Sequence, residues 1–148
     1  MTPRPAQFSW IVTAGAALLL CVAAQASLSG KISLRYAGAS KSGAVFVLEN
    51  GSNRSIYLRG VKASGRRINP WDGSINCRFT KTASSVESLL LGHKDGDPRV
   101  IEVPPNQRVK LSFDGYEGTF FADHRRELCT LHLELQRQIA IDSDEFAP

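Results

Sequence analysis

The loop Gly92-His93-Lys94-Asp95-Gly96-Asp97-Pro98 brings an imidazole and two carboxylates together. Carboxylates two positions apart bind a hard cation such as Ca²⁺ when more oxygen ligands and a distal Glu complete the loop. Those ligands are missing and Lys94 intrudes, so the segment reads as a polar turn. Asp123, His124 and Glu127, with His132 further on, form a second group. Zinc wants ligands four apart on a helix or converging from strands. If the last segment is a strand, His124 and His132 lie far apart along it. A Ser–His–Asp triad is recognised by geometry, not by order. The chain has neither Gly-x-Ser-x-Gly nor another nucleophile elbow.

Cys77 and Cys129 complete the reactive set. A third cysteine, Cys21, lies in the apolar N-terminal run Ile11 to Ala24. That run follows the charged amino terminus and Arg4 and ends in Ala24-Gln25-Ala26. A signal peptidase cleft holds only small side chains, which Ala24 and Ala26 supply. The run is also shorter than the about 20 apolar residues of a membrane span. Residues 1–26 therefore read as a cleaved signal peptide, with the mature chain starting near Ser27 and secreted or periplasmic. The alternative is a lipoprotein anchored through Cys21, whose preceding triplet Leu18-Leu19-Leu20 lacks the usual small residue next to the cysteine. Both readings leave Cys77 and Cys129 in an oxidising compartment, where an even count predicts one disulfide.

Aromatic residues give the other candidates. Asn69-Pro70-Trp71-Asp72-Gly73 sets Trp71 in a turn, and an exposed Trp is a contact residue. Tyr57, Arg66 and Arg67 lie near it in sequence and complete the expected binding surface. Tyr116, Phe120 and Phe121 are further aromatic candidates. Asn50-Gly51-Ser52 and Asn53-Arg54-Ser55 match the glycosylation acceptor pattern, which turn chemistry also explains. Net charge is +4 with both signs interspersed, and no basic stripe alternates with aromatics. Nucleic acid is therefore not expected as a partner.

Elements that would position these residues follow from alternation. Ile32 to Tyr36, Ala44 to Glu49 and Ser55 to Val61 read as strands, the last two joined as a hairpin by Asn50-Gly51. Lys62 to Gly73 reads as irregular. Ile75, Cys77 and Phe79 alternate with polar residues and share the expected buried face. Val86 to Leu91 fits a strand or a helical turn. Val100 to Val103 and Val109 to Phe113 are strands joined by Pro104-Pro105-Asn106-Gln107. Cys129, Leu131, Leu133 and Leu135 alternate without exception, which favours strand over the helix that Leu128, Leu131, Leu135 and Ile139 would make. Both cysteines then point inward, as a bridge across a two-layer core requires.

Seven or eight short strands predict an all-β, antiparallel two-layer sandwich over residues 27–141, with 142–148 as a flexible tail. The stretch Val45 to Leu58 resembles the early strands of bacterial exported immunoglobulin-like domains, and Val103 to Val109 resembles their strand–Pro–turn–strand step. The resemblance implies an immunoglobulin-like sandwich and no particular site. Trp71 precedes both cysteines, unlike the Cys–Trp–Cys order of antibody domains. The expected function is a non-catalytic binding module for an unidentified protein or cell-envelope component, without a cofactor. The alternatives are a small secreted metal-binding protein or enzyme using His93, Asp95, Asp97, His124 or His132, and an inhibitor of an extracellular hydrolase using the Pro104-Pro105 and Trp71 loops.

Overall fold

Alternation of apolar and polar residues dominates the chain, and strands form where it is strongest. The computed structural model describes residues 32–40, 43–82, 84–92, 96–113 and 115–148. Residues 1–26, read from sequence as a signal peptide and containing Cys21, Ala24 and Ala26, lie outside them, as do His93 and Asp95. The strands are β1 (Ile32–Ser40), β2 (Gly43–Asn50), β3 (Ile56–Ala63), β4 (Arg67–Pro70), β5 (Gly73–Arg78), β6 (Glu87–Leu90), β7 (Arg99–Val103), β8 (Gln107–Phe113), β9 (Leu128–Leu135) and β10 (Ile139–Asp142). An α-helix, α1 (Gly115–Asp123), separates β8 from β9.

The strands form two sheets, ordered β1-β2-β8-β4-β3-β7 and β10-β9-β5-β6. Neighbours pair antiparallel except β4 and β8, which run parallel through Arg67↔Lys110 and Ile68↔Leu111. Ten strands thus stand among the described residues, more than the seven or eight expected, and one pairing is parallel. The extra strand β4 lies in the stretch read as irregular. Its four residues are too few for a pattern, but Ile68 is buried in register with Leu111.

The chain passes from the first sheet to the second between β4 and β5, at Trp71-Asp72. Gly73 makes this corner possible. Its φ is +142°, and a Cβ there would lie 2.2 Å from the His132 carbonyl oxygen. Switching sheets through a bend is how strands turn corners between two layers.

β2 and β3 are not a hairpin. β2 pairs with β1 and β8, and β3 pairs with β4 and β7. The Asn50 amide, fully buried, organises the connection instead. Its Nδ2 donates to the carbonyls of Arg54, Val103 and Pro104 at 2.7, 2.9 and 3.1 Å, while Oδ1 accepts from the Ser52 N–H at 3.1 Å. Buried backbone carbonyls need such partners, and here one side chain ties the β2–β3 turn to the end of β7.

One core is built from both sheets: Phe46, Leu48, Leu58, Leu111 and Phe113 from the first, Ile75, Leu89, Leu131 and Leu133 from the second. Each fully buried Leu or Phe contributes about 1.5–3 kcal/mol. Cys77 and Cys129 form a disulfide, but not across the layers. They are direct register partners on neighbouring strands β5 and β9 of one sheet. Inward parity was legible for both, and the sheet order was not. Phe79 departs from its expected place. β5 ends at Arg78, so alternation stops one residue earlier and Phe79 is 72% exposed. Val86 to Leu91 resolves as the strand β6, and the last segment as the strand β9.

Residues beyond β10, read from sequence as a flexible tail, bond back to β9. The backbones of Phe146 and Cys129 exchange hydrogen bonds at 2.8 and 3.0 Å. The Phe146 ring stacks on Tyr36 at 4.4 Å and meets the edge of Phe46 at 5.0 Å. Burial of the Tyr36 phenol there pushes its pKa up.

Candidate functional site

The four residues of the sequence-derived surface are spread over β3, the β3–β4 turn, β4 and the corner after it. Tyr57 points outward from β3, opposite Glu102 of β7, and the Arg137 guanidinium lies 5.7 Å above its ring. Trp71 is half-buried at the sheet-switching corner. Its N–H donates to the Arg59 carbonyl at 2.9 Å, and its indole lies against Gly92, where a Cβ would come within 3.2 Å of Nε1. Arg66 closes the β3–β4 turn with φ +59°. Arg67 opens β4, four residues from Trp71 and so about 13 Å away along the strand. The turn and the corner therefore belong to different parts of the surface.

Arg67 instead joins a group that no single stretch of sequence contains. Residues in register share one face of a sheet. Arg35 pairs with Val47, Val47 with Lys110, and Lys110 with Arg67, so one row crosses β1, β2, β8 and β4. The neighbours Leu34, Leu48, Leu111 and Ile68 are buried, so this row points outward. Arg108 stands on the same face, beside Glu49. Glu49 receives Arg35 at 2.9 Å and Arg108 at 3.0 Å. Those guanidiniums, Arg108 foremost, hold its carboxyl below the usual Glu range. Arg67 and Lys110 sit side by side with no carboxylate partner among the described residues.

The outer face of the second sheet carries a polar row. Ser74 is in register with His132, and His132 with Asp142. The Asp142 carboxylate lies 2.7 Å from His132 Nδ1. Ser74 Oγ accepts from the Asn76 amide at 3.2 Å, and Asn76 Oδ1 accepts from the Ser88 hydroxyl at 2.6 Å. Serine, histidine and aspartate are thus aligned. No hydrogen bond joins Ser74 to His132 among the described residues, although a nucleophile needs that link to lose its proton. Ser74 and Asp142 were invisible as partners because their strands meet only through the sheet order.

His124 is buried after α1, not set on a strand with His132. Its ring packs on Phe120 at 4.2 Å, with the Glu127 carboxylate 2.9 Å from Nδ1 but misaligned for a hydrogen bond. The Glu87 carboxylate is 3.7 Å from Nε2. Asp123 and Asp97 are exposed. No group of three or more His, Cys, Asp or Glu side chains converges as metal ligands among the described residues.

Among the described residues, exposed large apolar side chains occur along the β5–β6 pair. Phe79, Val86 and Leu90, three of the four large exposed hydrophobics, flank or occupy the β5–β6 hairpin. β6 is the edge of its sheet. Phe79 was assigned to the core by parity, so this patch was hidden from sequence.

No family description, curated protein or solved structure matches this chain.

Proposed function

We propose that the chain is an exported, immunoglobulin-like β-sandwich that acts as a non-catalytic binding module. Its partner is an extracellular or envelope protein that adds a strand to β6. The carrying observation is that Phe79, Val86 and Leu90 are exposed on and beside a strand at a sheet edge. An edge strand offers unpaired backbone N–H and C=O groups, which proteins normally shield because they recruit other strands. Strand addition draws affinity from those groups and specificity from alternate side chains. Leu90 projects from β6 and Val86 precedes it, so both are available to an added strand.

The test uses processed protein as bait on an envelope extract, beside a V86K/L90K variant. Intact-mass analysis first checks that the chain begins near Ser27. The wild type is expected to retain a partner that the variant loses while both melt at similar temperatures. Identical capture by the two baits would rule out the edge.

The row Ser74, His132 and Asp142 supports a second reading, a hydrolase. A fluorophosphonate probe labelling wild type but not S74A would favour it, and the absence of labelling would leave the binding module.

A further inference from the structure

We infer that the outer face of β1, β2, β8 and β4 binds a linear anionic polysaccharide. This surface lies on the six-stranded sheet and is independent of the β6 edge. Arg35, Lys110, Arg67 and Arg108 project from it against a single carboxylate, Glu49. Neighbouring strands are about 4.8 Å apart, so a row across four of them forms a strip about 15 Å long. Among the described residues some cations meet a carboxylate, as Arg59 meets Asp72 and Arg78 and Lys81 meet Glu145, and others do not. Arg67 and Lys110 lack one, though like charges directly opposite each other destabilise a sheet. A local cost without a structural return points to a ligand. An anion laid along the row would remove that repulsion.

The rest of the face selects among anions. Its outward residues Ser33, Val45 and Val47 include no aromatic ring, and single-stranded nucleic acid is held by stacking on such rings. The large exposed hydrophobics are Phe79, Val86, Leu90 and Val100, none of them on these four strands. A membrane surface would need apolar side chains to insert beside the cations. A flat cationic strip with neither feature fits a flexible chain of sugar carboxylates or sulfates.

The test measures binding of fluorescein-labelled dextran sulfate to the processed protein at low salt. Binding is expected to weaken as salt rises, because exposed charges are screened. R67E/K110E should weaken it by about tenfold, since reversed charges repel the ligand. R125E/R126E, in the turn after α1, changes net charge equally and should stay within about twofold of wild type. Glu49→Gln should tighten binding, because it frees Arg35 and Arg108. Should R67E/K110E fail to fold, K110Q gives the same direction. Equal losses in the two charge-reversed variants, no binding at low salt, or tighter binding to oligo-dT or phosphatidylglycerol vesicles would each overturn the proposal.

Discussion

Cys77 and Cys129 face each other directly across β5 and β9, their Cα atoms 4.1 Å apart, and the bridge closes a sequence separation of 52 residues. Both residues are fully buried. The staple therefore fixes the register of the two central strands of the four-stranded sheet. Loop-closure entropy for such a separation is worth about 4 kcal/mol, less any native strain. The double variant C77A/C129A is expected to lose about 3 kcal/mol, or about 10 °C in melting temperature. Thermal unfolding with and without reductant checks this. A melting point indifferent to reductant would mean that the sheet holds its register unaided.

Asn50 is expected to be the most sensitive polar position. Three carbonyl oxygens converge on its Nδ2. Asn50→Ala strands them in a buried site, at a cost of about 3 kcal/mol. Asn50→Asp should be worse, because it aims a carboxylate at the same oxygens. Denaturant midpoints of the two variants test the order. An Asp variant as stable as wild type would reverse the assignment of the amide nitrogen.

Phe146 should behave as a core residue despite its place two positions from Pro148. It is 7% exposed and meets Tyr36, Phe46 and Phe121. Phe146→Ala is expected to destabilise by about 3 kcal/mol, within the range for buried aromatic truncation. Removal of residues 143–148 should cost at least as much. Urea unfolding of both proteins gives the comparison, and an unchanged midpoint would show that the aromatic cluster closes without it.

Strand character was legible where alternation was sustained, as in Cys129 to Gln136, or where a short apolar run was rich in β-branched and aromatic residues, as in Ala44 to Glu49. It is set locally by which side chains a sheet face buries. Strand order is set by contacts distant in sequence, so the β2–β3 hairpin was misread and the Arg67–Lys110 neighbourhood was unseen. Helix α1 was missed for a different reason. Gly115-Tyr116-Glu117-Gly118-Thr119 has poor helix propensity, and the segment is held by tertiary burial of Phe121 in the core. Phe79 was misplaced because parity says which side a residue faces only while the strand lasts. Both candidate surfaces arise at such places: one where a strand stops, the other where distant strands become neighbours.

Glu49 makes stability depend on acid in a defined direction. Its carboxyl is held below the ordinary range by Arg108 and Arg35. A carboxylate whose folded pKa is depressed stabilises the fold above its unfolded pKa, and that contribution disappears as pH falls through the folded value. The unfolded reference is about 4.3. At neutral pH Glu49→Gln should therefore be slightly less stable than wild type, because the group is only half-buried and its pairs with exposed arginines are screened. As pH drops below that reference, Glu49 takes up its proton, both guanidiniums lose their partner, and the two proteins should converge. Melting curves of wild type and variant from neutral pH to about pH 3 follow this. A gap that stays constant or widens in acid would show that the two arginines do not stabilise the Glu49 carboxylate.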